Sequence, residues 1–127
     1  MPARILLYGI DAALLRTRAG VLESAGFQVA VAIRLLEIEQ ALLSEPSDVL
    51  ILCYTLTPEE CRQALESAEE CTPGIKTILL MQAGFATSPQ RLYDAVFDAW
   101  QGPGALIATV SRMLLGDESE ESLRFRA

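Results

Sequence analysis

The stretch "DVLILCYTL", residues 48–56, decides how the rest of the sequence is interpreted. Asp48 is followed by four apolar residues, and these are followed by Cys53 and a turn toward "TPEE". A short continuous apolar run between turn signals is typical of a strand buried on both faces, as in parallel sheets. Cys53 would then lie at the carboxyl end of a strand, where parallel sheets usually place ligands and reactive groups.

Similar apolar runs alternate with amphipathic segments along the whole chain. Four more strands are predicted, at 4–9, 27–32, 75–81 and 95–99. Helices are predicted from helical spacing of apolar residues and from end signals, at 11–26, 35–45, 57–70 and 103–115. This alternation predicts one α/β domain with a doubly wound, five-stranded parallel sheet.

Helix-end signals fix two of these helices. Asp11 stands at the N-cap position of the first helix, and Gly26 fits its C-terminal stop. Thr57, Pro58 and Glu60 form the capping-box pattern that begins the third helix. We therefore expect Asp11 to cap a helix.

Composition and charge exclude several classes of function. The chain has 127 residues, of which 51% are hydrophobic, and its net charge is −7. Such a charge argues against nucleic acid and anionic membranes as partners, because phosphates would be repelled. No apolar run approaches the roughly 20 residues that span a bilayer, and "MPARILLYG" lacks the layout of a secretion signal. The odd count of three cysteines, with no C-x-x-C pair, is typical of a reducing compartment, and we therefore expect a cytoplasmic protein.

Cysteine and histidine content limits the chemistry further. Cys61 and Cys71 are predicted on one helix, roughly 15 Å apart along its axis, so they cannot form a disulfide. The chain has no histidine, which excludes hydrolases with a histidine base, histidine zinc sites and phosphohistidine carriers within this sequence. Glycine-rich nucleotide-binding motifs are also absent. We predict no cofactor.

Four segments, in order, resemble the receiver domains of two-component response regulators. They are "ARILLYGIDAALLR", "SDVLILCYTLTPEE", "TILLMQA" and "DAVFDAWQGPGALIATVSRML". The resemblance covers residues 4 to about 115 and implies a flavodoxin-like strand order of 2-1-3-4-5. It also implies a receiver-like domain at 1–115. Residues 116–127 are polar and charged, and we expect them to form a flexible C-terminal tail.

The positions that carry the family's phosphoryl chemistry are replaced in this chain. The family has two magnesium-binding acids after strand 1, a phosphoacceptor aspartate after strand 3, a Ser or Thr after strand 4 and a Lys after strand 5. The corresponding residues here are Gly9, Ile10, Cys53, Gln82 and Ala99. The resemblance therefore implies a degenerate, non-enzymatic receiver with no metal, acting in a phosphorelay through phosphorylation-independent contact with a signalling protein or a second copy.

The segment between strands 4 and 5 departs from the family in length. It is short and contains Pro89, so the family's fourth helix is predicted to be short or absent, with fewer than two turns between Gly84 and Asp94. Aromatic residues surround this rebuilt region, and they form either core or a candidate interaction face: Phe85, Tyr93, Phe97 and Trp100.

Three interpretations stay open on the sequence alone. Cys53 is either an inert core residue or a thiol- or redox-responsive switch, and no Lys, Arg or His lies close to it in sequence to lower its pKa. Asp11 and Asp98 are either surface charges or the edges of a weak cation site. The terminal "RFR" is either part of a solvated tail or a docking peptide.

Overall fold

Five strands form one parallel sheet in the computed structural model, which describes residues 3–53, 56–81, 95–98 and 102–115. The strands are β1 Arg4–Tyr8, β2 Gln28–Ala32, β3 Val49–Leu52, β4 Lys76–Met81 and β5 Ala95–Asp98. Their spatial order is β2-β1-β3-β4-β5, and every neighbouring pair is parallel. The predicted fold class and strand order are confirmed, and the predicted strand ends differ by at most one residue.

Four helices connect these strands or follow them within the described residues. They are α1 Ala12–Ser24, α2 Leu35–Ser44, α3 Pro58–Cys71 and α4 Pro103–Leu115. The predicted end of α1 at residue 26 is two residues too late, because Gly26 lies beyond the helix with a φ of 100°. That left-handed conformation is one that glycine adopts without strain, so Gly26 ends the helix as expected.

The sheet divides the apolar core into two clusters. One cluster packs beneath α1 and α4 and includes Ile5, Leu7 and Ile51 from the sheet. The other packs beneath α2 and α3 and includes Leu6 and Leu50. Successive strand residues alternate between the clusters because side chains of a strand point to opposite faces. Both faces of the central strands are therefore buried, which accounts for their continuous apolar sequence.

Two parts of the predicted architecture lie outside the described residues. The segment between Gly84 and Asp94, where the family's fourth helix is predicted to be short or absent, is one of them. The charged tail at 116–127 is the other. Of the helices that the structure describes, none combines the length and the apolar character that crossing a membrane requires.

Candidate functional site

The carboxyl ends of β1 and β3 bring two of the predicted site residues together. The Cys53 N–H donates to the Tyr8 carbonyl at 3.0 Å, and the Gly9 N–H donates to the Ala32 carbonyl at 3.2 Å. Gly9 and Cys53 therefore lie side by side at one edge of the sheet, as the parallel topology predicts. Ile10 follows Gly9, and its side chain is 56% exposed.

The other predicted site positions fall outside the part of the chain that the structure describes. Met81 pairs with Asp98 at the ends of β4 and β5. The structure does not describe the residues immediately beyond these ends, Gln82 and Ala99. Of the predicted aromatic face, it describes the backbone of Phe97 but not Phe85, Tyr93 or Trp100. Their roles stay predictions.

Asp11 acts as a helix cap. Its Oδ1 accepts a hydrogen bond of 3.1 Å from the Leu14 N–H, and its backbone has the extended conformation of an N-cap residue. The sequence-based prediction of this role is confirmed. A carboxylate oxygen that satisfies the start of α1 is less available to hold a cation at the strand edge.

Cys53 is a core residue. Its side chain is 1% exposed and packs in the cluster beneath α1 and α4. Burial raises the pKa of the Cys53 thiol above its ordinary value, because the thiolate would lose its hydration. At neutral pH the sulfur is therefore protonated and poorly nucleophilic.

Arg18 of α1 reaches the same sulfur. Its guanidinium donates a hydrogen bond to Cys53, and its positive charge offsets part of the rise in the thiol pKa without cancelling it. Arg18 is far from Cys53 in sequence, and the two residues meet only through the packing of α1 over the sheet. The signal was the helical spacing, since Arg18 lies three residues after Leu15 and four before Leu22 on the inward side of α1.

The described side chains at the carboxyl ends of β1 and β3 do not fit a magnesium ion. Magnesium is bound mainly by carboxylate oxygens, and Gly9 and Ile10 offer none. Cys53 presents a protonated sulfur, and the guanidinium of Arg18 beside it would repel a divalent cation. Among the described residues, no three His, Cys, Asp or Glu side chains form a group that could hold a metal.

Solved structures of receiver domains superpose on nearly the whole chain. A CheY-like response regulator receiver domain from Methanospirillum hungatei JF-1 has a TM-score of 0.76 and 25% identity, covering 96% of this chain and 99% of its own. The chain has the receiver-domain fold. A putative response regulator from Chloroflexus aurantiacus J-10-fl, at 18% identity, has a TM-score of 0.78 over 91% of this chain and 100% of its own.

The receiver fold is evident from structure more than from sequence. The chemotaxis protein CheY4 from Vibrio cholerae has a TM-score of 0.75 at 16% identity, covering 89% of this chain and 99% of its own. No family model matches the sequence, and no curated protein matches it significantly. In this receiver fold, Gly9 and Cys53 lie side by side at the carboxyl ends of β1 and β3, and the guanidinium of Arg18 contacts Cys53.

Proposed function

We propose that this protein is a degenerate receiver domain of two-component signalling that acts by phosphorylation-independent contact with a protein partner, and that it is not an enzyme. The single observation that carries the proposal is the buried, protonated thiol of Cys53 paired with Arg18 at the strand edge. The similarity to solved response regulator receiver domains supports the signalling context.

The chemical argument concerns the nucleophile and the metal. Phosphoryl transfer depends on positioning and on neutralising the charge of the transferred group. A protonated thiol does not supply the carboxylate oxygen that attacks phosphorus, and Gly9 and Ile10 supply no metal ligand. Arg18 retains a positive charge at this edge, but its guanidinium is directed to Cys53. Loss of one strong transition-state interaction costs about 100- to 1000-fold in rate, so the combined losses abolish a useful switch.

Radiolabelled acetyl phosphate tests the proposal directly. The wild-type protein should take up no label, with or without magnesium, while an active receiver domain treated in parallel is labelled. Cys53→Asp should also stay unlabelled, because the metal ligands are still missing. Stoichiometric, magnesium-dependent labelling of the wild type would overturn the proposal. Labelling of Cys53→Asp alone would show that another acid, such as Asp11, supports a metal site.

Arg18 provides the folding control for this experiment. An aspartate at position 53 would be a buried anion, and Arg18 is placed to pair with it, so Cys53→Asp should remain folded. Cys53→Asp combined with Arg18→Met leaves that charge uncompensated and should lose about 3 to 5 kcal/mol of stability relative to the single variant. Urea denaturation of both variants separates a chemical failure from unfolding.

The partner side of the proposal rests on the predicted aromatic face and on charge. A protein partner suits an acidic chain better than nucleic acid or membrane does, and cytoplasmic location stays a prediction. Pull-downs from the source cell with wild type, Trp100→Ala and the exposed control Glu69→Ala test the face. We expect wild type and Glu69→Ala to recover the same partner protein and Trp100→Ala to lose it. Equal recovery of that partner by all three proteins would exclude Trp100 from the contact.

A thiol-responsive switch at Cys53 is the alternative function. The Arg18 contact favours it because a guanidinium stabilises a thiolate, whereas burial opposes it. A mild oxidant followed by mass measurement of the folded protein distinguishes the two. The degenerate-receiver proposal expects Cys53 to remain unmodified in folded protein. Rapid oxidation of Cys53 without unfolding would favour the switch.

A further inference from the structure

The outer side of β2 is an open and uncharged sheet edge. β2 is the first strand in the sheet order and has the sequence QVAVA, with Val31 43% exposed and Ile33 just beyond it 40% exposed. Among the described residues, no strand pairs with its outer side. Protein edges are usually protected from self-pairing by lysine, proline or bulges, and β2 has neither lysine nor proline.

The backbone of β2 presents four hydrogen-bonding groups outward. The Gln28 N–H donates to Ala3, and the Ala32 carbonyl accepts from Gly9, so the even-numbered residues face β1. Hydrogen-bonding direction alternates along a strand. The N–H and C=O groups of Val29 and Val31 therefore point away from the sheet, where another strand could pair with them.

A second copy of β2 fits this edge in the antiparallel direction. With a two-fold axis at Ala30, Val29 lies opposite the second copy's Val31, and the two pairs exchange four hydrogen bonds. Ala30 then faces its own counterpart as a non-hydrogen-bonded pair, for which the Cα atoms approach to about 4.5 Å. The small side chain of alanine suits that spacing.

The flank of α1 that faces the β2 edge carries matching features. Arg18 is directed toward β3, on the far side of β1 from β2, so the opposite flank of α1 faces the edge. Arg16, Gly20 and Glu23 lie on that flank at positions i, i+4 and i+7, and all three are exposed. No ion pair within the described part of the chain uses Arg16 or Glu23.

The same two-fold axis pairs these helices. The midpoint between Arg16 and Glu23 is about 7 Å along α1 from its end, and Ala30 is about 7 Å along β2 from its start. Helices of neighbouring copies would run antiparallel, so Arg16 faces the second copy's Glu23 and the reverse pair also forms. Two copies with a net charge of −7 repel each other overall. At this face, however, each Arg16 meets a Glu23, so the local charges attract.

Gly20 sits where the two helices would cross. A Cβ built at Gly20 meets no atom within 4 Å, and its backbone is ordinary helix, so nothing in the described part of the chain requires a glycine there. Glycine is unfavourable in a helix interior. At a helix crossing it allows the two backbones to approach closely.

We propose that two copies of this protein form a symmetric dimer through the β2–α1 face, which comprises Arg16, Gly20, Glu23, Val29 and Val31. The two sheets join edge to edge into one ten-stranded sheet, with the α1 helices packed antiparallel across the axis. This dimer does not depend on the proposed function, because its residues lie on the outer side of β2 and α1, away from Cys53.

Charge reversal and charge swapping test the dimer in the full chain by sedimentation equilibrium over a wide concentration range. Arg16→Glu and Glu23→Arg should each weaken dimerisation at least about tenfold, because like charges then meet twice. The combined variant should recover to within about threefold of wild type, since each charge again meets its opposite. Arg112→Glu and Glu69→Arg are controls with the same charge changes elsewhere, and they should leave the dimer unchanged.

Two further variants test the strand and the helix crossing. Val31→Pro removes an outward N–H that the ladder to β1 does not use, and it should weaken the dimer. Gly20→Leu should raise the thermal midpoint of the monomer, because leucine favours the helix more than glycine does. It should also weaken the dimer, because the larger side chain separates the two helices; a glycine needed only for the fold of the monomer would not show both effects. A wild type that stays monomeric at sub-millimolar concentration would overturn the proposal. So would reversal variants that dimerise like their controls, or a swap that fails to recover.

Discussion

Arg18 lies near Leu15 and Leu22 on the inward side of α1, and its guanidinium contacts Cys53. Removing part of a guanidinium from water is costly unless it is hydrogen-bonded, and the half-buried Arg18 finds an acceptor in the sulfur of Cys53. The sequence predicted that position 53 lies at the strand edge and that it lacks the family's carboxylate. It could not predict the neighbour, because the Arg18–Cys53 contact depends on how α1 packs over the sheet and not on local spacing.

The raised pKa of Cys53 predicts a loss of stability at alkaline pH. The unfolded chain releases the thiol proton near pH 8.5, whereas the folded protein retains it, so this stability is fully present below about pH 8.5 and is lost as pH rises through the folded pKa. Between about pH 8.5 and 9.5, the free energy of unfolding should fall by up to about 1.4 kcal/mol because of Cys53. Urea denaturation at several pH values measures the fall.

Cys53→Ala isolates that contribution, since all other titrating groups are shared with the wild type. The difference between the two unfolding free energies should shrink with rising pH. Identical pH profiles for wild type and Cys53→Ala would mean that the folded protein ionises this thiol as easily as the unfolded chain does.

At the scale of elements, the start of α3 is specified almost entirely by local sequence. Thr57 Oγ1 accepts from the Glu60 N–H at 3.1 Å, and Glu60 Oε1 accepts from the Thr57 N–H at 2.8 Å. Pro58 occupies the first turn, where no N–H is required. This reciprocal pair is the capping box that the sequence predicted, and it was predictable because both partners lie within one turn.

Thr57→Ala should destabilise the protein by about 1 kcal/mol, because the Glu60 N–H loses its side-chain acceptor. Thr57→Ser retains the hydroxyl and should be close to wild type. Chemical denaturation followed by circular dichroism gives the difference in unfolding free energy. An alanine variant as stable as the serine variant would show that water satisfies the exposed helix end equally well.

Elements were predicted well where their signals are local and poorly where they depend on packing. Apolar runs, most of them continuous, identified the five strands, and caps identified the starts of α1 and α3. Leu65 lies on the apolar side of α3 by helical spacing, yet it is only half-buried, whereas Cys61, Ala64 and Ala68 are buried. The extent of burial depends on what packs opposite the helix, which periodicity does not contain.

At the scale of the whole molecule, β1 connects the two halves of the core. Leu6 and Leu7 are adjacent and fully buried, and they face opposite sides of the sheet. Leu6→Ala and Leu7→Ala should each cost about 2 to 5 kcal/mol, from lost burial and the cavity that remains. Each cost should appear in one cooperative transition, because both clusters share the same strands.

Urea denaturation monitored by circular dichroism and by tryptophan fluorescence checks this prediction. The two signals should coincide in both variants, with the denaturant dependence of the wild type. Leu43→Ala, at a position of α2 that is 76% exposed, is the matched control and should change stability much less. Separated transitions in Leu6→Ala alone would mean that the α2–α3 layer unfolds independently.

Two of the free cysteines can report separately on the transient opening of the two core clusters. Cys53 lies in the cluster beneath α1 and α4, and Cys61 lies in the cluster beneath α2 and α3. A thiol reagent added to native protein reaches either sulfur only during a transient opening, so its rate of attachment times that opening. Mass analysis of the two peptides from one sample gives both labelling rates. Equal rates would mean that the two helical layers open together, and unequal rates would mean that one layer opens while the other stays closed.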